Sequence, residues 1–288
     1  MAARFWVGGT GTWDAADTDH WSATSGGAGG QSVPVAADTV TLDASSGGGT
    51  VTVNHATLSV TSITMGAFTG TLDFSVNNNN VTLGTFSGAG TGVRTLNLGD
   101  GTWTITSPGS MWNNSTVTNL TFDANSSTIL ISNTSSGNAR TFFGGGLTYN
   151  ILSIAASGAG ANLSAVNITG ANTFAQLQIA GNNCVTFAGG VTNTISSAFT
   201  LVGSVGNPIT LASGTVGNTA TVSIASGAAT IAHGFIRDLT FAGGATFSAT
   251  NSYDLGHNTG ITITPPAVGG GGSKFDIFSG MLRIPGSL

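Results

Sequence analysis

The chain has 288 residues, a net charge of −5 and only 6% charged side chains, against about 25% in ordinary soluble domains. Its eleven acidic residues are all Asp, and it has one Lys and one Cys. That balance offers no basic stripe for nucleic acid and neither a disulfide framework nor a thiolate metal cluster.

No apolar run approaches a membrane span, and the opening residues lack the apolar stretch of a signal peptide, so neither membrane insertion nor export by that route is expected. The 45 Gly and low charge raise the question of disorder. Disordered segments, however, are charged and poor in β-branched residues, whereas Val, Ile, Leu and Phe recur here in short alternating runs. Thr, Val, Ser, Asn and Gly dominate and helix formers are scarce. The sequence predicts an all-β chain.

The first element is "RFWVGGTGTWDAADTDHWS", residues 4–22. It gathers Trp6, Trp13 and Trp21 with Asp14, Asp17, Asp19 and His20. Asp-rich loops bind Ca²⁺, but this spacing lacks the turn Gly and terminal Glu of an EF-hand. The favoured reading is a cap, in which the three Trp pack over an open end and Asp14 and Asp17 hold turns through their carboxylates. "GGTGTW" (8–13) has no Lys-Ser/Thr to complete a phosphate loop, and its Gly residues suit turns beside bulky indoles. The segment closes with "SVPVAADTVTLDA" (32–44).

From residue 50 onward, short runs alternate apolar and small polar residues: "TVTVN" (50–54), "LSVTSI" (58–63), "TLDFSV" (71–76), "TLNLG" (95–99), "TWTIT" (102–106). Further on one pattern returns as "NLTFDA", "ILSIAA", "QLQIAG" and "DLTFAG", starting at 119, 151, 176 and 238. The last step is about twice the length of the others. With it taken as two turns, the repeat is roughly 25–30 residues, the length of a coil of three short strands. Leu and Phe or Ile of the motif then point inward, and the terminal Ala-Gly or Ala-Ala forms corners. The expected fold is a right-handed parallel β-helix with an N-terminal cap and a C-terminal tail peptide. A β-sandwich array is the competitor. It needs hairpin turns between most strands, and Asp100-Gly101 is the one good example.

Beyond "SYDLGHNTGITI" (252–263) come Pro265-Pro266, a "VGGGGS" tether (268–273) and "KFDIFSGMLRIPGSL" (274–288). The chain therefore divides into a Trp/Asp-rich cap (1–45), a β-helical body (46–264) and a linker with an apolar tail (265–288). Phe275, Ile277, Phe278, Met281, Leu282 and Ile284 are too many large apolar groups to leave solvated, so the tail is expected to dock on another chain.

Several of these segments carry a resemblance. "RFWVGGTGTWD" (4–14), Trp21-Ser22, Val33-Pro34, "DTVTLD" (38–43) and the late "NSYDLGHNTGITI" (251–263) resemble motifs of bacteriophage structural proteins with Gly/Ser/Thr-rich β-helical bodies. Related openings also occur in bacterial surface adhesins. The resemblance implies a virion protein of the tail-fibre, spike or capsid-decoration type, assembled in the host cytoplasm.

Catalysis is the competing expectation. Glycoside hydrolysis needs two facing carboxylates, and the coils offer only Asp73, Asp100, Asp123, Asp238 and Asp254. Asp123 and Asp238 sit at opposite ends of related motifs, and Arg237-Asp238 reads as a local ion pair. Asp254 and His257 are two of the three groups of a hydrolytic triad, yet their Gly-Asn setting reads as a turn. His233 reads as a half-buried coil residue and Cys184 as a small apolar group. The expected protein is a non-enzymatic virion component with no cofactor and no metal. Its expected partners are itself, as a homotrimer, other virion proteins through the tail, and a host surface glycan. The alternatives are a glycan-binding adhesin module and a β-helical polysaccharide-degrading enzyme.

Overall fold

The computed structural model describes residues 1–133, 138–155 and 165–267. Strand accounts for 53% of the described residues, with almost no helix. The strands form one sheet of 19, one of five and one of three. Among the described residues, every pairing between named strands is parallel except that of Ala3–Trp6 with Trp21–Ser22. Parallel neighbours cannot be joined by tight hairpins, so the sandwich reading fails. Asp100-Gly101 is a corner: a Cβ on Gly101 would lie 2.1 Å from the carbonyl oxygen of Asn79 in the preceding turn.

Successive turns of the chain stack, each adding a strand to three ladders, in a β-helix-like arrangement. In the first ladder Leu58, Val81, Trp103, Ile129, Leu152, Leu177 and Phe199 stand in register. The second aligns Val40, Ile63, Phe86, Trp112, Phe142, Ile168 and Phe187. The third aligns Val51, Leu72, Leu96 and Phe122, then Tyr149, Phe174 and Ile195. The sequence dictates this directly. Apolar and Thr/Ser/Asn residues alternate, so every second side chain enters the core and its neighbours face out. These inward positions are buried apart from Phe122, and they form one continuous core. Aromatic rings fill its middle: Trp103 meets Phe74 at 4.5 Å, and Trp112 meets Phe86 at 4.4 Å and Tyr149 at 6.3 Å.

Two expectations about the repeat need correction. Most turns along the first ladder are shorter than expected: Thr102 lies one turn above Asn80 and only 22 residues beyond it. The four recurring motifs also do not share a position in the turn. "ILSIAA" and "QLQIAG" pair in register on the first ladder, whereas "NLTFDA" and "DLTFAG" belong to the third. The Leu-x-Phe/Ile signature marks an inward pair on any ladder, so the unequal steps between the motifs span unequal fractions of a turn.

Corners depend on more than Gly. Asn78, Asn119, Asn125, Asn182 and Asn251 all adopt positive φ, the left-handed conformation that Asn tolerates better than other side chains. Between turns, Asn side chains also tie corners together: Asn78 Oδ1 accepts from the Asp100 N–H and Asn80 Oδ1 from the Thr102 N–H, both at 2.9 Å.

Candidate functional sites

At the N-terminal end, Ala3–Trp6 pairs with Thr39–Thr41, and Gly11–Asp14 pairs with Thr50–Asn54, so the opening segment extends the ladders of the body. Trp6, Trp13 and Trp21 are fully buried. Trp21 meets Trp6 edge-on at 5.2 Å and Trp13 at 5.0 Å. The His20 ring stacks on Trp6 at 4.7 Å with 7° between planes. This explains Gly11, where a Cβ would fall 2.7 Å from the imidazole and 2.9 Å from the indole. Trp6 donates through Nε1 to the Gly9 carbonyl at 2.8 Å.

The carboxylates here turn inward to the backbone. Asp14 Oδ1 accepts from the N–H groups of Ala16 and Asp17 (2.8 and 2.9 Å), and Asp17 Oδ1 accepts from that of Asp19 (3.1 Å). The other Asp17 oxygen lies 2.7 Å from His20 Nδ1. Asp14 and Asp17 thus occupy turn positions, and Asp19 is exposed. Among the described residues no group of three or more His, Cys, Asp or Glu is placed to hold a metal ion.

A second cluster lies near the other end. Asp238 is fully buried at φ 55. One oxygen is 2.9 Å from His257 Nδ1; the other is 3.0 Å from Arg237 Nε and accepts from the Gly217 N–H at 3.2 Å. The Arg237 contact is an ion pair by distance without hydrogen-bond alignment. The local ion pair read from the sequence is present. The Asp254–His257 pairing is not: His257, 73% exposed, turns to Asp238 instead. Asp254 Oδ1 accepts from the Gly256 N–H and from Asn258 Nδ2. Asp123 is exposed and accepts from the Asn125 N–H. It stands five turns from Asp238 on the third ladder, about 24 Å at the usual strand spacing, so these two cannot act on one bond. Outward on the second ladder, Phe235 and Tyr253 stack at 5.4 Å with 10° between planes.

The remaining singled-out residues are structural in their surroundings. His233 is half-buried at a positive-φ corner. Cys184 is partly buried, and burial pushes its thiol up to about 11 although Arg140 and Arg237 pull the other way. A thiol so protonated is a poor nucleophile. Sequence reasoning missed Arg94 and Arg140, both fully buried. The clue for Arg94 lay in "GVRTL", a cation entering a strand in a chain that almost lacks charge. Tyr149, also missed, donates from its phenol to the Gly144 carbonyl at 2.8 Å, with the Asn114 carboxamide 3.1 Å from the same oxygen.

A small open groove, about 170 Å³, lies on the first ladder between Ser153, Gln178, Thr200 and Val202. It is smaller than the ~300 Å³ at which ligand pockets begin. No helix among the described residues is long and apolar enough to cross a membrane. Phe275, Ile277, Phe278, Met281, Leu282 and Ile284 lie outside the described residues. Comparison with known protein families, curated proteins and solved structures gave no match.

Proposed function

We propose that this chain is a non-enzymatic structural protein of a bacteriophage virion, a right-handed parallel β-helix that forms part of an external appendage such as a fibre, spike or capsid decoration. The observation that carries the reading is where the ionisable groups go. Asp14, Asp17, Asp43, Asp73, Asp123 and Asp254 each accept a backbone N–H within their own turn. Asp100 accepts the Ser126 N–H of the next turn. Asp238 is engaged by three groups, and Arg94 by backbone carbonyls. These charges serve the coil, and a stacked coil is a long, stiff, extendable body.

In this reading Trp6, Trp13 and Trp21 close the first turn against strand addition, the bodies associate as a homotrimer, and the apolar tail docks on a neighbouring virion protein. Mass spectrometry and antibody labelling of gradient-purified particles, from cells that express this gene during infection, test it. The chain is expected in the particles at many copies, with label on an outer structure. A chain recovered only from the soluble lysate contradicts the proposal.

A glycan-binding module is the second reading, favoured by the partly exposed Phe235–Tyr253 stack, since aromatic faces suit sugar rings. Tyr253→Ala then abolishes retention on a host-polysaccharide column. Under the leading reading, retention is either undetectable or unchanged by that substitution.

A further inference from the structure

Among the described residues, the strands of the first ladder carry no charge. They fall within Thr57–Thr64, Asn80–Ser87, Thr102–Ile105, Thr128–Ile131, Thr148–Ile154, Thr173–Ala180, Thr192–Val202, Ala228–Ala232, Thr246–Thr250 and Thr262–Thr264, and none of these segments holds an Asp, Arg, Lys or His. The strands of the other two ladders contain Arg4, Asp14, Asp73, Arg94, Asp123, Arg140, Arg237 and Asp254, of which Arg94 and Arg140 are buried. The outward residues stand in register as Ser59, Thr82, Thr104, Leu130, Ser153, Gln178 and Thr200. The middle of this surface is its most apolar part, with Leu130 and Ile151 half-buried and Val202 63% exposed.

We infer that this face packs against a second copy of the same chain. The inference rests on the self-association in the proposed function and assigns the surface that performs it. Ten turns at about 4.8 Å, most presenting four or five residues of roughly 3.3 Å, make a strip on the order of 700 Å². A standard stable interface buries about 800 Å² per partner. Depletion of charge is the compositional mark of an interface centre. A partner recognised through charge finds nothing to pair with along the strip. A second copy brings uncharged columns at the same spacing between turns, and the open groove beside Val202 receives side chains from a facing strip.

Sedimentation of three proteins tests this, with circular dichroism as the check on folding. The wild type is expected to be multimeric. Thr82→Lys, Thr104→Lys and Gln178→Lys together place like charges along the strip and weaken association by about 100-fold or more. The matched variant on the third ladder, Thr50→Lys, Thr71→Lys and Thr95→Lys, stays multimeric. Mixing the first variant with one carrying Asp at Thr82, Thr104 and Gln178 restores association, because in the trimer the strips of all copies converge on one shared axis, where charges of opposite sign then meet. If the triple variant does not fold, Thr82→Lys alone, at an exposed side chain, is read in the same way. A wild type that is monomeric at every concentration overturns both the self-association and this face. A multimer that survives the first-ladder charges but dissociates with the third-ladder charges overturns the face alone.

Discussion

Arg94 donates to the carbonyl oxygen of Gly88 twice, from Nε at 2.9 Å and Nη2 at 2.7 Å. Its other donors reach the carbonyls of Gly92, Thr116 and Thr118 at 2.9–3.0 Å. All five N–H groups are thereby satisfied by backbone, and the guanidinium fastens the corner at 88–92 to the one at 116–118 in the next turn. Arg94→Met leaves the buried Gly88 carbonyl without its two donors and removes the part-buried bonds to Gly92, Thr116 and Thr118, of which Thr116 keeps the Gly90 N–H, and is expected to cost on the order of 3 kcal/mol in denaturant unfolding. Arg94→Lys recovers only part of it, because an ammonium has three donors and no planar fork. Equal stability of wild type and Arg94→Met contradicts the stapling role.

Cys184 reports on the packing between the second ladder and its neighbours. With its thiol pushed up from 9.0 to about 11, the thiolate fraction at pH 8 falls about 100-fold. Iodoacetamide is expected to label the folded chain at least that much more slowly than the chain in guanidinium. Equal rates mean that the thiol is solvated and the strand Cys184–Phe187 is not placed as described.

Asp38 gives the acid limit of the N-terminal segment. Burial raises its pKa, but the N–H groups of Ala2 and Val35 and the nearby Arg4 outweigh burial and hold the carboxyl below its ordinary value of 3.8. A depressed folded-state pKa stabilises the fold above the unfolded value, and the benefit disappears as pH falls through the folded value. Asp38→Asn is therefore expected to lower Tm at pH 7 and to match wild type once the pH is well below 3.8. A Tm difference that persists unchanged into strong acid contradicts the sign.

Much of the fold was legible because one rule governs it. Alternation of apolar and small polar residues marked Val51, Val53, Leu58, Val60 and Ile63 as inward, and all five are buried. Clustering marked Trp6, Trp13 and Trp21 as a packing unit. The ladder to which each strand belongs was not legible, since the inward pair of "NLTFDA" is chemically the same as that of "QLQIAG". The Asn corners were also hidden, because Asn is frequent throughout and only backbone conformation separates Asn125 at φ 46 from Asn97 within a strand. The contact of Asp238 with His257 spans 19 residues, one turn of the coil, and a reader of sequence alone pairs His257 with the nearer Asp254.

The stacking of turns can be measured in solution. Thr41, Thr64, Ser87, Asn113, Phe143 and Thr169 follow one another in register on the outside of the second ladder. Thr41 and Thr169 are therefore five turns apart, about 24 Å at the usual strand spacing, despite their distance in sequence. Nitroxide labels at Thr41→Cys and Thr169→Cys in a Cys184→Ala background, diluted with unlabelled chain, allow that distance to be read by pulsed electron resonance. A single narrow distribution centred at about 24 Å is the expected result. A broad distribution, or one centred beyond about 35 Å, contradicts the coil of parallel turns on which both the proposed function and the interface depend.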